Sequence, residues 1–336
     1  MSRLDEILEI FNRQKANLIV LLCHHNADPD AFCSAYALQS LFKRIKPQLH
    51  IEISSSKGLS KLSKSIQRTL QIEFTKQPNI EDADVLFILD ANTVQQLGEF
   101  KTQVKKTNSP VIIVDHHVTK LCNNEPAELK IVNEKASSTC EIVFQIFEEA
   151  KIPILKDEAL ALLTGIAFDS GHFTRARGET FRILAQLVEL GSNIDKAIQL
   201  LTIPMNLSER IARLKALQRG KIIKENKWVI ATSQVGSYQA SAARALLHIG
   251  ADIVFVAGKK GDNLTISMRS SQRFYRETNI HLGKEIVISL EEKFDGGGGG
   301  HSTSAGFNGI GDIDEALELC FESVLSRLRE IDSSQD

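Results

Sequence analysis

The sequence predicts a two-domain α/β protein: an N-terminal, mostly parallel sheet with flanking helices, then a smaller C-terminal α/β domain, with the active site in the cleft. Three observations predict it. At 336 residues the chain exceeds one small core and fits one large domain or two ordinary ones. Its first third alternates apolar runs with helix-period segments, as right-handed βαβ crossovers require. After about residue 220 a helical stretch gives way to a β-rich series.

The opening MSRLDEILEIFNRQK has the periodicity of a charged amphipathic helix rather than a signal peptide. Leu18–Cys23 (LIVLLC), Val85–Leu89 (VLFIL) and residues 111–114 (VIIV) are continuous apolar runs, the mark of strands buried on both faces. Residues 31–44 and 59–70 carry helical spacing between them. Ser137-Ser138-Thr139 offers a cap for a helix over 140–150, and helical pattern continues to about 201. Residues 206–219 form a connecting helix. A hairpin follows, turning at Glu225-Asn226-Lys227, then a helix over 238–248 and strands over 253–257 and 264–268. A helix over 283–294 runs into five glycines, and a last helix over 313–330 ends in a polar tail. The domains are placed at 1–190 and 221–332, with a helical linker over 191–220.

Composition excludes several classes. Lys plus Arg is 40 against 42 for Asp plus Glu, so the chain lacks the basic excess that holds long nucleic acid by bulk electrostatics. No apolar run approaches the ~18 residues of a membrane span. Cys23, Cys33, Cys122, Cys140 and Cys320 are odd in number and form no CxxC, which fits reduced thiols in a cytoplasmic protein.

The chemistry gathers at strand ends. The first run is followed by His24-His25-Asn26-Ala27-Asp28-Pro29-Asp30, the second by Asp90, the third by Asp115-His116-His117. Ligands of open parallel sheets bind at the carboxyl ends of strands, so three separate segments deliver acids and imidazoles to one crevice. Pro29 keeps Asp28 extended, and residues two apart then face one way, so Asp28 and Asp30 both aim inward with His24 reaching back. A helix-capping turn would explain Asp-Pro-Asp alone, but not its company. Asp169, after an apolar helix, is a fourth acid, and the helix dipole disfavours a purely structural carboxylate there. Asp28, Asp30, Asp90 and Asp169 balance two divalent cations, to which His24 and His116 add neutral nitrogens. Two metals roughly 3.5–4 Å apart clamp a phosphoryl group for in-line displacement. Mixed carboxylate and imidazole donors suit Mn²⁺ better than Mg²⁺, with Zn²⁺, Co²⁺ and iron open.

The run Gly296–Gly300 before His301 is either a flexible linker or a loop whose amides approach a phosphate, and the flanking apolar helices favour the second. Arg269 is a candidate phosphate fork, though a lone surface arginine is commoner.

The order His24-x-x-x-Asp28-x-Asp30, Asp90, Asp115-His116-His117, Asp169 resembles the four-motif set of the DHH phosphoesterase superfamily. Gly298-Gly299-Gly300-His301, with Arg269 upstream, resembles its DHHA1 domain, and the likeness covers essentially the whole chain. The resemblance implies that His24, Asp28 and Asp90 hold one metal and Asp30, His116 and Asp169 the other, with Asp90 bridging. It implies that Asp115 accepts a hydrogen bond orienting an imidazole ligand and that His117 contacts the substrate phosphate. Arg269, His301 and Gly298, Gly299 and Gly300 would bind the far phosphate or nucleotide end. The reaction implied is hydrolysis of a phosphoester by metal-bound hydroxide, with Asp115, His116 and His117 as the catalytic group. Motif one has Ala27 where many relatives have Pro, and motif two reads Asp90-Ala91-Asn92-Thr93, yet no ligand is lost.

The compact form is similar to the oligoribonuclease and nucleoside-bisphosphate phosphatase group. The expected substrate is a short oligonucleotide, linear dinucleotide or nucleoside bisphosphate, with a homodimer expected from relatives. Alternatives are a RecJ-like single-strand exonuclease, whose basic aromatic channel is not visible at 6% aromatic content, and a binding scaffold for replication or repair, disfavoured because every expected ligand is present. An inorganic pyrophosphatase would share the N-terminal motifs but not the glycine-histidine segment.

Overall fold

The computed structural model describes residues 2–117 and 127–333, so Cys122 lies outside the described residues. The chain forms two compact units, Met1–Ile203 and Pro204–Asp336.

The first unit runs α1 (Arg3–Arg13), β1 (Leu18–Cys23), α2 (Pro29–Ile45), β2 (His50–Ser54), α3 (Lys61–Leu70), β3 (Val85–Leu89), a 3₁₀ segment (Val94–Phe100), α4 (Lys101–Lys106), β4 (Val111–Asp115), β5 (Leu129–Val132), α5 (Thr139–Ala150), α6 (Lys156–Asp169), α7 (Gly178–Glu189) and α8 (Ile194–Leu200). The sheet order is β2-β1-β3-β4-β5 and every pairing is parallel. Alternation divides the strand residues between two cores. Ile19, Leu21, Phe87 and Val114 face a core with α1, α2, α5 and α6, whereas Val20, Leu22, Ile88 and Ile113 face a smaller one with Val94, Leu97 and Val104. This explains why the central runs carry no polar alternation. The flanking strands β2 and β5 lie outside the apolar runs of the sequence, since HIEIS and LKIV are short and partly polar.

Register positions the site. Cys23 pairs with Leu89, and Leu89 with Val114, so His24, Asp90 and Asp115 stand level on three adjacent strands.

The second unit contains α9 (Leu207–Gln218), β6 (Lys221–Glu225), β7 (Trp228–Gln234), α10 (Gln239–His248), β8 (Ile253–Lys260), β9 (Asn263–Ser270), α11 (Gln272–Thr278), a π-helical turn (Leu282–Ile286), α12 (Val287–Lys293), β10 (Asp295–His301), β11 (Ser304–Ile310) and α13 (Ile313–Ser333). Its sheet, β10-β11-β9-β8-β7-β6, is antiparallel except for β7 and β8. Residues 191–220 are divided between the units, α8 packing on α6 and α9 on α10. The helix expected over 283–294 is the π-helical turn continued by α12.

The glycine run is not a loop. It is β10, the edge strand, in unbroken antiparallel register with β11. A Cβ on Gly298 would sit 2.5 Å from the Gly306 carbonyl and 2.8 Å from Val287 Cγ1, so only bare backbone fits beside α12.

Candidate metal centre

Three of the candidate ligand side chains, those of Asp28, Asp30 and Asp90, are held by amides or a hydroxyl near them or across the fold. Asp28 caps α2: its Oδ1 accepts the N–H groups of Asp30 (3.0 Å) and Ala31 (3.1 Å), with Pro29 pre-set as the first helical residue. Its other oxygen, Oδ2, lies 3.3 Å from His24 Nε2. Asp30 is fully buried and caps a different helix, its Oδ2 and Oδ1 accepting the N–H groups of Thr139 (2.6 Å) and Cys140 (3.0 Å) at the start of α5. Asp90 adopts φ +57, a conformation Asp tolerates better than most residues, and its N–H donates to the Val114 carbonyl at 3.0 Å. Thr139 donates its hydroxyl to Asp90 Oδ1 at 2.9 Å.

The structure brings the six sequence-predicted residues together. His24, Asp28 and Asp90 form one group and Asp30, His116 and Asp169 a second, with donor atoms in each group within 4.8 Å of one another. Asp90 joins them, lying 3.4 Å by Oδ1 from His116 Nε2 and 3.8 Å by Oδ2 from His24 Nε2. A third grouping sets Asp90 with His116 and His117. The imidazole that Asp115 orients is that of His117, through a 2.8 Å contact to Nδ1, rather than that of a member of the two ligand groups. His117 is half exposed.

The electrostatics call for cations. Burial, then the neighbouring Asp90 and Asp169, drive the Asp30 carboxyl well above the usual range, and Asp90 is raised chiefly by burial. Burial opposes protonation of His116, but Asp169 at 2.8 Å and Asp90 outweigh it and push its pKa up to about 11. His116 Nε2 is buried among the carboxylates of Asp30, Asp90 and Asp169. An imidazole nitrogen that converges with buried acids, which resist ionisation unless positive charge joins them, is the donor set of a cation site, so these residues fit a divalent pair.

Several contributors carried no sequence signal of function. Thr139 looked like a helix start and also orients Asp90. Gly165 lets α6 approach α2: a Cβ there would lie 2.3 Å from Cys140 Sγ and 3.1 Å from Asp30 Oδ1. Arg175 and Arg177 line a cavity of about 360 Å³ with His116, His117 and Asp169, and Arg175 Nη2 donates to the Asp169 carbonyl at 2.6 Å.

In the second unit Arg269, Gly299, Gly300 and His301 line one cavity of about 400 Å³ with Gln239 and Asn308. Gly298 is not part of that lining, and its N–H donates to Glu291 Oε1 at 2.8 Å. Burial, then the charge of Arg244, lower the pKa of Arg269, so two guanidinium groups share one field.

A model of the DHH family, N-terminal domain, matches residues 18–166. The chain is 32% identical over 327 residues to the uncharacterized protein MJ0988 of Methanocaldococcus jannaschii, covering 94% of this chain and 96% of that one. It is 29% identical over 242 residues to the cyclic-di-AMP phosphodiesterase PdeA of Listeria monocytogenes, covering 68% of this chain and 33% of that protein. A solved exopolyphosphatase-related protein from Bacteroides fragilis shares the fold, with a TM-score of 0.60 at 19% identity, over 96% of this chain and 95% of that chain.

Proposed function

The chain belongs to the DHH family of phosphoesterases, and from that premise we propose that it is a Mn²⁺-dependent phosphodiesterase of short oligonucleotides, linear dinucleotides or nucleoside bisphosphates. The observation that carries this reading is the pair of three-ligand groups joined through Asp90. His24, Asp28 and Asp90 would hold one cation, and Asp30, His116 and Asp169 the other, with Asp90 shared. Such a pair lowers the pKa of water and neutralises charge on a phosphoryl group. PdeA, a phosphodiesterase by name, supports the reaction class.

The chain's own residues supply position. Asp28 and Asp30 are pinned by helix-end amides, so neither carboxylate needs to reorganise when the substrate arrives. Asp115 accepts from His117 Nδ1–H and favours the protonated ring, whose Nε2–H is then free to donate to a phosphoryl oxygen. Arg269 and His301, facing one cavity, suit a second phosphate or nucleotide end. Near-neutral net charge supports short substrates over long strands. The four described cysteines are free and buried, and no described helix is long and apolar enough to cross a membrane, which supports a cytoplasmic setting.

The test is turnover of pApA, a five-residue RNA, long single-stranded DNA, adenosine 3′,5′-bisphosphate and pyrophosphate, each with Mn²⁺, Mg²⁺ or EDTA. Mn²⁺-dependent hydrolysis of the short nucleotides is expected. Preference for the long strand or for pyrophosphate would replace this reading.

A further inference from the structure

A second polar cluster sits at the carboxyl edge of the first sheet, outside the metal ligands. β2 ends at Ser54, paired with Leu22 of β1, so Ser55 and Ser56 follow level with Cys23 and His24. The next loop is fastened to the segment leading into α2. Lys57 N–H donates to the His25 carbonyl (2.7 Å), Ala27 N–H to the Gly58 carbonyl (3.1 Å) and Ser60 N–H to the Ala27 carbonyl (2.9 Å).

This loop borders a cavity of about 440 Å³ whose lining includes Ser56, Lys57, Lys64, Gln67, Phe74 and Lys76 and contains no acidic residue. The three lysines come from three places: the loop, α3, and the stretch after Thr75. That stretch is itself fixed, since Thr75 N–H donates to the Ile53 carbonyl at 2.9 Å and its carbonyl accepts the Ser54 hydroxyl at 2.6 Å. Three lysines lining one cavity without a carboxylate give it a positive potential that favours an anion.

We infer that this cavity is a phosphate subsite, taking a phosphate of the substrate other than the one at the metal centre. The inference deepens the phosphoesterase reading and rests on it. Neighbouring strands lie about 4.8 Å apart, so the end of β2 is roughly 10 Å from the end of β3, where Asp90 stands. A polyphosphorylated chain crossing the strand ends therefore meets both. Lysine ammonium groups on flexible stems accept phosphate as point charges and read no base, so the subsite favours chain length over sequence. The shared chemistry is a neighbouring phosphate, whether of an oligonucleotide or of inorganic polyphosphate.

The experiment compares wild type with the triple variant Lys57→Ala/Lys64→Ala/Lys76→Ala, whose three side chains are exposed and whose fold is checked by thermal unfolding. Equilibrium affinity is measured with Mn²⁺ for phosphorothioate-linked pApApA and for a non-hydrolysable imido-linked polyphosphate long enough to span the two places, each against adenosine 5′-monophosphate. The triple variant is expected to bind one or both polyphosphate probes about tenfold or more weakly, with monophosphate affinity unchanged. Loss confined to pApApA assigns the subsite to nucleotides, and loss confined to the imido-linked chain assigns it to inorganic chains. Lysine-to-arginine replacement at all three positions is expected to keep most of the affinity. Equal affinity in wild type and variant, an equal fall for the monophosphate, or no polyphosphate preference in wild type overturns the inference. Because these are binding measurements, wild-type turnover on the substrate panel separately decides the activity.

Discussion

Asp30 Oδ2 accepts the backbone N–H of Thr139 at 2.6 Å, joining the first turn of α2 to the first turn of α5. The contact is fully buried, and its two residues serve one centre by different routes. Asp30 belongs to a ligand group, and Thr139 turns its hydroxyl to Asp90, which connects the two groups. Position 139 thus governs two carboxylates, one through its backbone and one through its side chain.

Thr139→Val preserves shape and backbone while removing the donor to Asp90. Activity or metal affinity is expected to fall about 10- to 100-fold, as for other outer partners of metal ligands. Thr139→Ser should recover most of the loss. Metal titration by calorimetry, run beside kcat, distinguishes this from a folding defect.

Gly165→Ala places a methyl group against Cys140 Sγ and beside Asp30. Overpacking of this kind costs about 1–3 kcal/mol, so the denaturation midpoint should drop. Activity should fall with it, because Asp30 must shift. Adding Cys140→Ala to the same chain removes the closest clash and is expected to recover more than half of the stability. No recovery would place the strain elsewhere.

Asp115→Asn should leave metal affinity near wild type while lowering kcat by about 10-fold or more, since His117 loses the carboxylate that holds its Nδ1–H and favours its protonated form. The Asp115 carboxylate, through that hydrogen bond, is also the largest cause of the raised His117 pKa. A double-mutant cycle with His117→Ala is expected to be strongly non-additive. Additive losses would separate the two residues.

In metal-free protein His116 has a folded pKa of about 11, above its ordinary value of 6.5. Protonated His116 therefore contributes stability that is fully present below pH 6.5 and is lost as pH rises through about 11. Unfolding in EDTA should show declining stability between those limits, and His116→Gln should flatten the decline. Metal must displace that proton, so calorimetry at pH 7 in buffers of different ionisation enthalpy is expected to report proton release on Mn²⁺ binding.

How much of this was legible depended on range. β1, β3 and β4 announced themselves because both faces of each are buried, leaving uninterrupted apolar runs that each end in acid or imidazole. β2 and β5 carry mixed patterns at the margin of the sheet, where one side lacks a partner strand. The glycine run concealed β10 because glycine has no side-chain preference for a strand, and the conformation is imposed by β11 and α12. That His24, Asp28, Asp30, Asp90 and His116 gather in one place followed from strand-end spacing. Thr139, Gly165 and the lysines at 57, 64 and 76 did not, since each acquires its role only when elements distant in sequence close on one another.

The caps at positions 28 and 30 bear on how such a centre decays. A descendant freed from selection for turnover would have no further need of His24, His116 or Asp169. Asp28 would still hold the start of α2, and Asp30 the start of α5. Drift should therefore erase the imidazoles and the last carboxylate first, while position 28 wanders only among Ser, Thr, Asn and Asp. An inactive member of the lineage would be recognised by that residual alphabet, a trace of a helix end outlasting the chemistry built on it.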